Sequence, residues 1–116
     1  MISQYWIDQI PAKPLSILIK DEAGVDKDLS SYTSITARLV GSNNEEIDLT
    51  GSTLNTSNKA IGKIIFSWPT DRSLFQYKGD YVFQLELAAE GQRDFTSTHT
   101  LRVRDLGRVN KNVYNR

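Results

Sequence analysis

The side chains able to carry acid–base or nucleophilic chemistry are few in this chain: one histidine and no cysteine. His99 stands in the serine/threonine-rich run "TSTHT" (96–100), with no partner evident beside it. A general base must be brought within hydrogen-bond reach of a nucleophile and be oriented by a third group, so His99 reads as a structural, partly exposed residue. No serine sits in the strand–turn–helix pattern of a nucleophile elbow. Acidic residues gather at two turns, Asp21, Glu22, Asp26 and Asp28 at one and Glu45, Glu46 and Asp48 at the other. Their spacing is not that of a calcium loop, and turns attract carboxylates for local hydrogen bonding alone. A glycine-rich phosphate loop and an aromatic–basic RNA motif are both missing. The sequence therefore assigns no catalytic residue, no metal ligand and no cofactor, and points away from an enzyme.

Binding residues are easier to find. "QYWIDQIP" (4–11) concentrates Tyr5, Trp6, Ile7 and Ile10 ahead of the first clear strand. This segment is either an edge strand with its side chains in the core or an arm whose aromatic anchors dock on a neighbouring subunit. From Arg102 onward the basic residues Arg102, Arg104, Arg108, Lys111 and Arg116 face Asp105 alone. That basic tail is either a solvated end or a second arm, with Arg108, Lys111, Tyr114 and Arg116 as contacts for an acidic neighbour.

These segments need a body to carry them. With 116 residues the chain has the length of one self-supporting domain. Its 39% hydrophobic and 24% charged content is that of a globular protein. Fourteen basic residues balance fourteen acidic ones, so no global field draws it to nucleic acid or to an anionic membrane. The start, "MISQYWIDQI", has neither a basic leader nor a long apolar run, and the lack of cysteine requires no oxidising compartment. A soluble protein made in a cytoplasm is expected.

Period-two alternation runs through most of the sequence. "PLSILIK" (14–20) sets Leu15, Ile17 and Ile19 on one face, and "DEAG" turns the chain into a return at 25–29. "SITARLV" (34–40) alternates in the same way, "GSNNEE" turns, and "EIDL" (46–49) predicts a short strand. The polar stretch 50–62 reads as loop and edge. "KIIFSW" (63–68) puts Ile64, Phe66 and Trp68 inward before Pro69 stops it, and "TDRSLFQY" (70–77) predicts one helical turn capped by Thr70 or Asp71. "DYVFQLELA" (80–88) directs Tyr81, Phe83, Leu85 and Leu87 inward, "AEGQ" makes a hairpin turn, and "FTSTHTLRVR" (95–104) closes the sheet. About seven short strands without a helical period predict an all-β antiparallel sandwich, with an arm or edge strand at 1–13, the sandwich at 14–104 and the basic tail at 105–116. A closed barrel is the alternative.

"KGDYVFQL" (78–85) refines this. In immunoglobulin sandwiches a tyrosine near the start of the sixth strand bonds back to the preceding corner, two residues before a disulfide cysteine. Here Gly79 supplies the turn, Tyr81 takes the corner position and Phe83 stands where the cysteine would be. Burial of a phenylalanine contributes about 1.5–3 kcal/mol without a crosslink. An immunoglobulin-like sandwich is expected.

"PLSILIKDEAGVDKDLSSYTSITARLV" (14–40), with Asp28, Leu29, Ser30 and Tyr32 as its specific part, resembles the N-terminal domain of the bacteriophage baseplate upper protein family and related small tail proteins. "FSWPTD" (66–71) and "GDYVFQLEL" (79–87) are the counterparts of that family's later turn and strand. The resemblance implies a non-enzymatic virion component, assembled in the host cytoplasm, that attaches to the tail or baseplate by protein–protein contacts as a homo-oligomer or in many copies. Longer members continue into segments that carry receptor-binding proteins, whereas only about a dozen residues follow the last strand here, which favours an adaptor or decorating module. A head decoration or head–tail joining protein is the alternative within the same class. A carbohydrate-binding module presenting Tyr5, Trp6 or Trp68 is the alternative outside it. A hydrolase centred on His99 has the least behind it.

Overall fold

The computed structural model describes residues 2–105. Eight strands carry that segment: β1 (Ile2–Trp6), β2 (Leu15–Leu18), β3 (Ser34–Val40), β4 (Thr53–Asn55), β5 (Lys63–Ser67), β6 (Gly79–Ala89), β7 (Gln92–Phe95) and β8 (His99–Arg104). They form two sheets. In the larger, β6 is central: β3 pairs with it on one side, and β8 and β7 share the other, with β1 outside β8. The smaller has the order β2-β5-β4. All pairs are antiparallel except β1 with β8, which run parallel from Ile2↔Thr100 to Trp6↔Arg104. The expected all-β antiparallel sandwich is the architecture observed.

The core lies where the alternation placed it. Tyr81, Phe83, Leu85 and Leu87 of β6 are buried, facing Leu15, Ile64 and Phe66 of the other sheet. An aromatic chain links the layers: Phe83 to Phe66 at 5.1 Å, Phe66 to Trp68 at 5.0 Å, Trp68 to Phe75 at 5.3 Å and Phe75 to Tyr81 at 5.6 Å between ring centroids. Such pairs contribute about 0.5–1.5 kcal/mol each beyond their buried area.

Tyr81 makes the expected corner. Its hydroxyl donates to the Tyr77 carbonyl at 2.8 Å and accepts from the Tyr77 N–H at 3.0 Å, so both polar groups of one turn residue are satisfied by one side chain. Gly79 is required beside it: at φ 123° a Cβ would lie 2.6 Å from Ser42 Cβ. Phe83 fills the space between the sheets.

Of the two readings of 1–13, residues 2–6 take that of an edge strand, β1. Three expectations need correction. "EIDL" is not a strand: after the Val40↔Glu46 bridge, Asp48 accepts from the Thr50 N–H at 2.9 Å, and Arg72 takes the Asp48 and Thr50 carbonyls at 2.8 and 2.7 Å. Side chains thus occupy the backbone groups that a ladder would need. The helical turn at 70–77 does not form. Leu74 and Phe75 are both buried, and Ser73 Oγ accepts from the Phe75 N–H while donating to the Gln9 carbonyl, tying the segment to the turn after β1. The closing strand is two strands, since Thr96 Oγ1 accepts from the Leu85 N–H at 3.0 Å and interrupts the ladder between β7 and β8.

Replacing Tyr81 by Phe keeps the ring and orphans the Tyr77 backbone groups. The expected loss is about 1–3 kcal/mol, read as a lower midpoint in urea denaturation with an unchanged slope. An unaltered midpoint would show that the corner contributes nothing to stability.

Candidate functional site

β1 sorts the N-terminal candidates by strand parity. Tyr5 faces inward, stacked on Phe75 at 4.9 Å and edge-on to Trp68 at 5.3 Å, and Ile7 packs against the same core. Neither is free to anchor a partner. Trp6 and Ile10 point outward and are 49% and 44% exposed. The turn joining them is fixed by Asp8 in the left-handed region (φ 65°), which aspartate tolerates better than most residues, and by the Gln9 N–H donating to the Trp6 carbonyl at 3.1 Å. Arg108, Lys111, Tyr114 and Arg116 lie outside the described residues. Trp68 is only 6% exposed, so it presents no ring to a glycan.

The catalytic question can be put to His99 directly. Its Nε2 lies 3.1 Å from Ser3 Oγ, a contact spanning almost the whole chain, created by the parallel pairing of β1 with β8 and invisible to local sequence reading. Burial pushes the imidazole pKa below its usual value. Among the described residues no carboxylate bonds the imidazole, so nothing orients a base in the manner of a nucleophile–base–acid triad. Nor do the acidic turns build a cation site: no group of three or more histidine, aspartate or glutamate residues stands together among the described residues. Asp21 instead accepts from the N–H groups of Ala23 and Val25, and Asp28 from that of Ser30.

One surface feature was not anticipated. Among the described residues β2 pairs only with β5, and no other described strand lies along the opposite side of its backbone. Opposite it, across the gap between the sheets, runs the 96–98 interruption. Between the two lies a shallow cleft of about 550 Å³, floored by Ile17, Phe83 and Leu85 and bordered by Lys20, Lys27 and Thr98. Ile17 and Ile19 face inward yet stay half-buried, because no described strand closes the sandwich over them. The clue in the sequence was the break-prone "TSTHT" run, whose hydroxyls compete with ladder bonds.

Tyr32, from the stretch that carries the family resemblance, donates to Asp94 at 2.6 Å and is buried beneath β7. Hydrogen bonds from Tyr32 and Gln92 hold the Asp94 carboxyl below the usual range, while the bond to Asp94 and then burial push the Tyr32 phenol up. No protein-family model matches the chain, and no curated protein matches it as a relative.

This pair sets a two-sided pH dependence. The Asp94 contribution is present above the unfolded value of about 3.9 and is lost as pH falls through its lower folded value. The Tyr32 contribution is present below the unfolded value of about 10 and is lost as pH rises through its higher folded value. Tyr32→Phe should therefore flatten both limbs of a plot of urea midpoint against pH. Parallel curves for the two proteins would refute the coupling.

Proposed function

We propose that the chain is a non-enzymatic structural protein of a tailed bacteriophage virion, an adaptor or decorating module of the tail or baseplate that works through protein–protein contacts. The observation that carries this reading is the resemblance at 14–40. Its residues have defined places in the fold: Leu29 and Tyr32 are buried, and Asp28 accepts from the Ser30 N–H at 2.8 Å to hold the turn between them. The finer, immunoglobulin-like reading is supported by the Tyr81 corner and by sheet orders β2-β5-β4 and β1-β8-β6-β3. The exposed Trp6 and Ile10 at one corner are apolar contacts of the kind that concentrate binding energy at interfaces.

The integral position of β1 decides which experiment tests the proposal. Deleting residues 1–12 would remove a strand and Tyr5 from the core, so loss of incorporation would report misfolding rather than lost docking. Trp6→Ala, on the outward face, leaves the core intact. Antibody against the purified protein should label the tail end of purified virions, and Trp6→Ala should lower the copies per particle at unchanged thermal stability. Label at the head vertices would transfer the protein to the head-joining class, and virions without label would end the virion reading.

A further inference from the structure

We propose that the free side of β2 pairs with β2 of a second copy of this chain, antiparallel about a two-fold axis, so that the β2-β5-β4 sheets of the two copies become one six-stranded sheet. The backbone parity comes first. Ile19 donates its N–H to Gly62 on the β5 side, so Ser16, Leu18 and Lys20, alternating with it, turn their N–H and C=O groups to the free side. Closing that side with an identical strand is an isologous contact, in which each residue serves twice.

Side-chain identity then selects the register. Placing Ile17 opposite its own symmetry mate pairs Ser16 with Leu18 of the second copy and Leu15 with Ile19. Ser16 and Leu18 exchange backbone hydrogen bonds in this arrangement, while Ile17 falls at a position without them, where side chains approach most closely. The half-buried Ile17 and Ile19 are then covered by each other's counterparts. Pro14, which has no N–H, faces Lys20, whose N–H can use the Pro14 carbonyl, so the proline leaves no donor unpaired.

Charge complementarity supports the same register. It sets Lys13 against Asp21 of the second copy, twice by symmetry. Neither residue has an ion-pair partner among the described residues, whereas Lys20 is already paired with Asp26 at 2.9 Å. A shift of two residues in one direction would bring Lys20 against Ser16 and leave Asp21 opposite Leu15. A shift in the other brings Leu18 against Pro14 and Ile19 against Lys13. Only the centred register matches apolar with apolar and cation with anion.

This rests on the homo-oligomeric side of the proposed function, yet it is tested in purified protein without virions. The chain contains no cysteine, so Ile17→Cys introduces a single thiol at the axis. Opposed positions of this kind have Cα atoms about 4.5–5.5 Å apart, within disulfide range. Mild oxidation should convert Ile17→Cys to a covalent dimer, while Leu18→Cys, displaced from its own mate, should crosslink far less. Sedimentation equilibrium of the unmodified protein should give a dimer of twice the 13.1 kDa chain mass, and Lys13→Glu should raise its dissociation constant roughly fivefold through two lost ion pairs. A monomer at every concentration, or equal crosslinking at both positions, would overturn the proposal. Failure here with virion labelling retained would refute the β2 pairing alone.

Discussion

The hydroxyl of Tyr81 is a small contact on which a large part of the molecule depends. It fixes the turn at Tyr77, from which β6 starts, and β6 is the strand that pairs with β3, β7 and β8 in the larger sheet. The Tyr81 ring meets Phe75 edge-on, Phe75 stacks on Tyr5, and Tyr5 anchors β1. Phe75 in turn meets Trp68, and Trp68 meets Phe66, which brings in the smaller sheet. A buried phenol is tolerable only because its oxygen is satisfied, and the two backbone groups that satisfy it would otherwise be unpaired themselves. The arrangement gives a disulfide-free sandwich the local rigidity that a crosslink supplies elsewhere.

Much of the core was legible because strands encode burial at a period of two. Tyr81 through Leu87, Ile64 through Trp68 and Leu15 through Ile19 needed nothing beyond alternation and stopping residues. The errors cluster where side chains replaced backbone partners. Asp48, Arg72, Ser73 and Thr96 each take a backbone group that propensity would give to a strand or a helix. Where the partner is distant in sequence, as with Arg72 and the Asp48 and Thr50 carbonyls, the substitution cannot be read from a local window. The surface was less legible still. Trp6 and Tyr5 are neighbours of similar composition, yet one is outside and one inside, and only the pairing of β1 with β8 decides which.

The same pairing explains why the two sides of the molecule differ in kind. The larger sheet ends in β1 along half of β6 and in the shorter β7 along the rest. The smaller sheet ends in β2, four residues long and flanked by Pro14 and Lys20. Short edges with proline and lysine are the usual means of discouraging indiscriminate strand addition. Such an edge accepts only a partner whose own sequence meets those residues in register, which makes selectivity a property of the flanks and not of the strand.

The parallel contact between β1 and β8 also has a temporal side. Ser3 lies opposite Leu101, so on the ribosome β1 has no place in this sheet until β8 has emerged. Contacts so distant in sequence require most of the chain-closure entropy to be lost before they contribute, and topologies rich in them fold slowly. During synthesis, β2 through β6 can assemble around Phe66 and Phe83 while Tyr5 and Trp6 wait in solvent. Tyr5 and Trp6 therefore lack their sheet neighbours for as long as β8 is unmade, which makes the exposure of this apolar segment a matter of synthesis time as well as of structure.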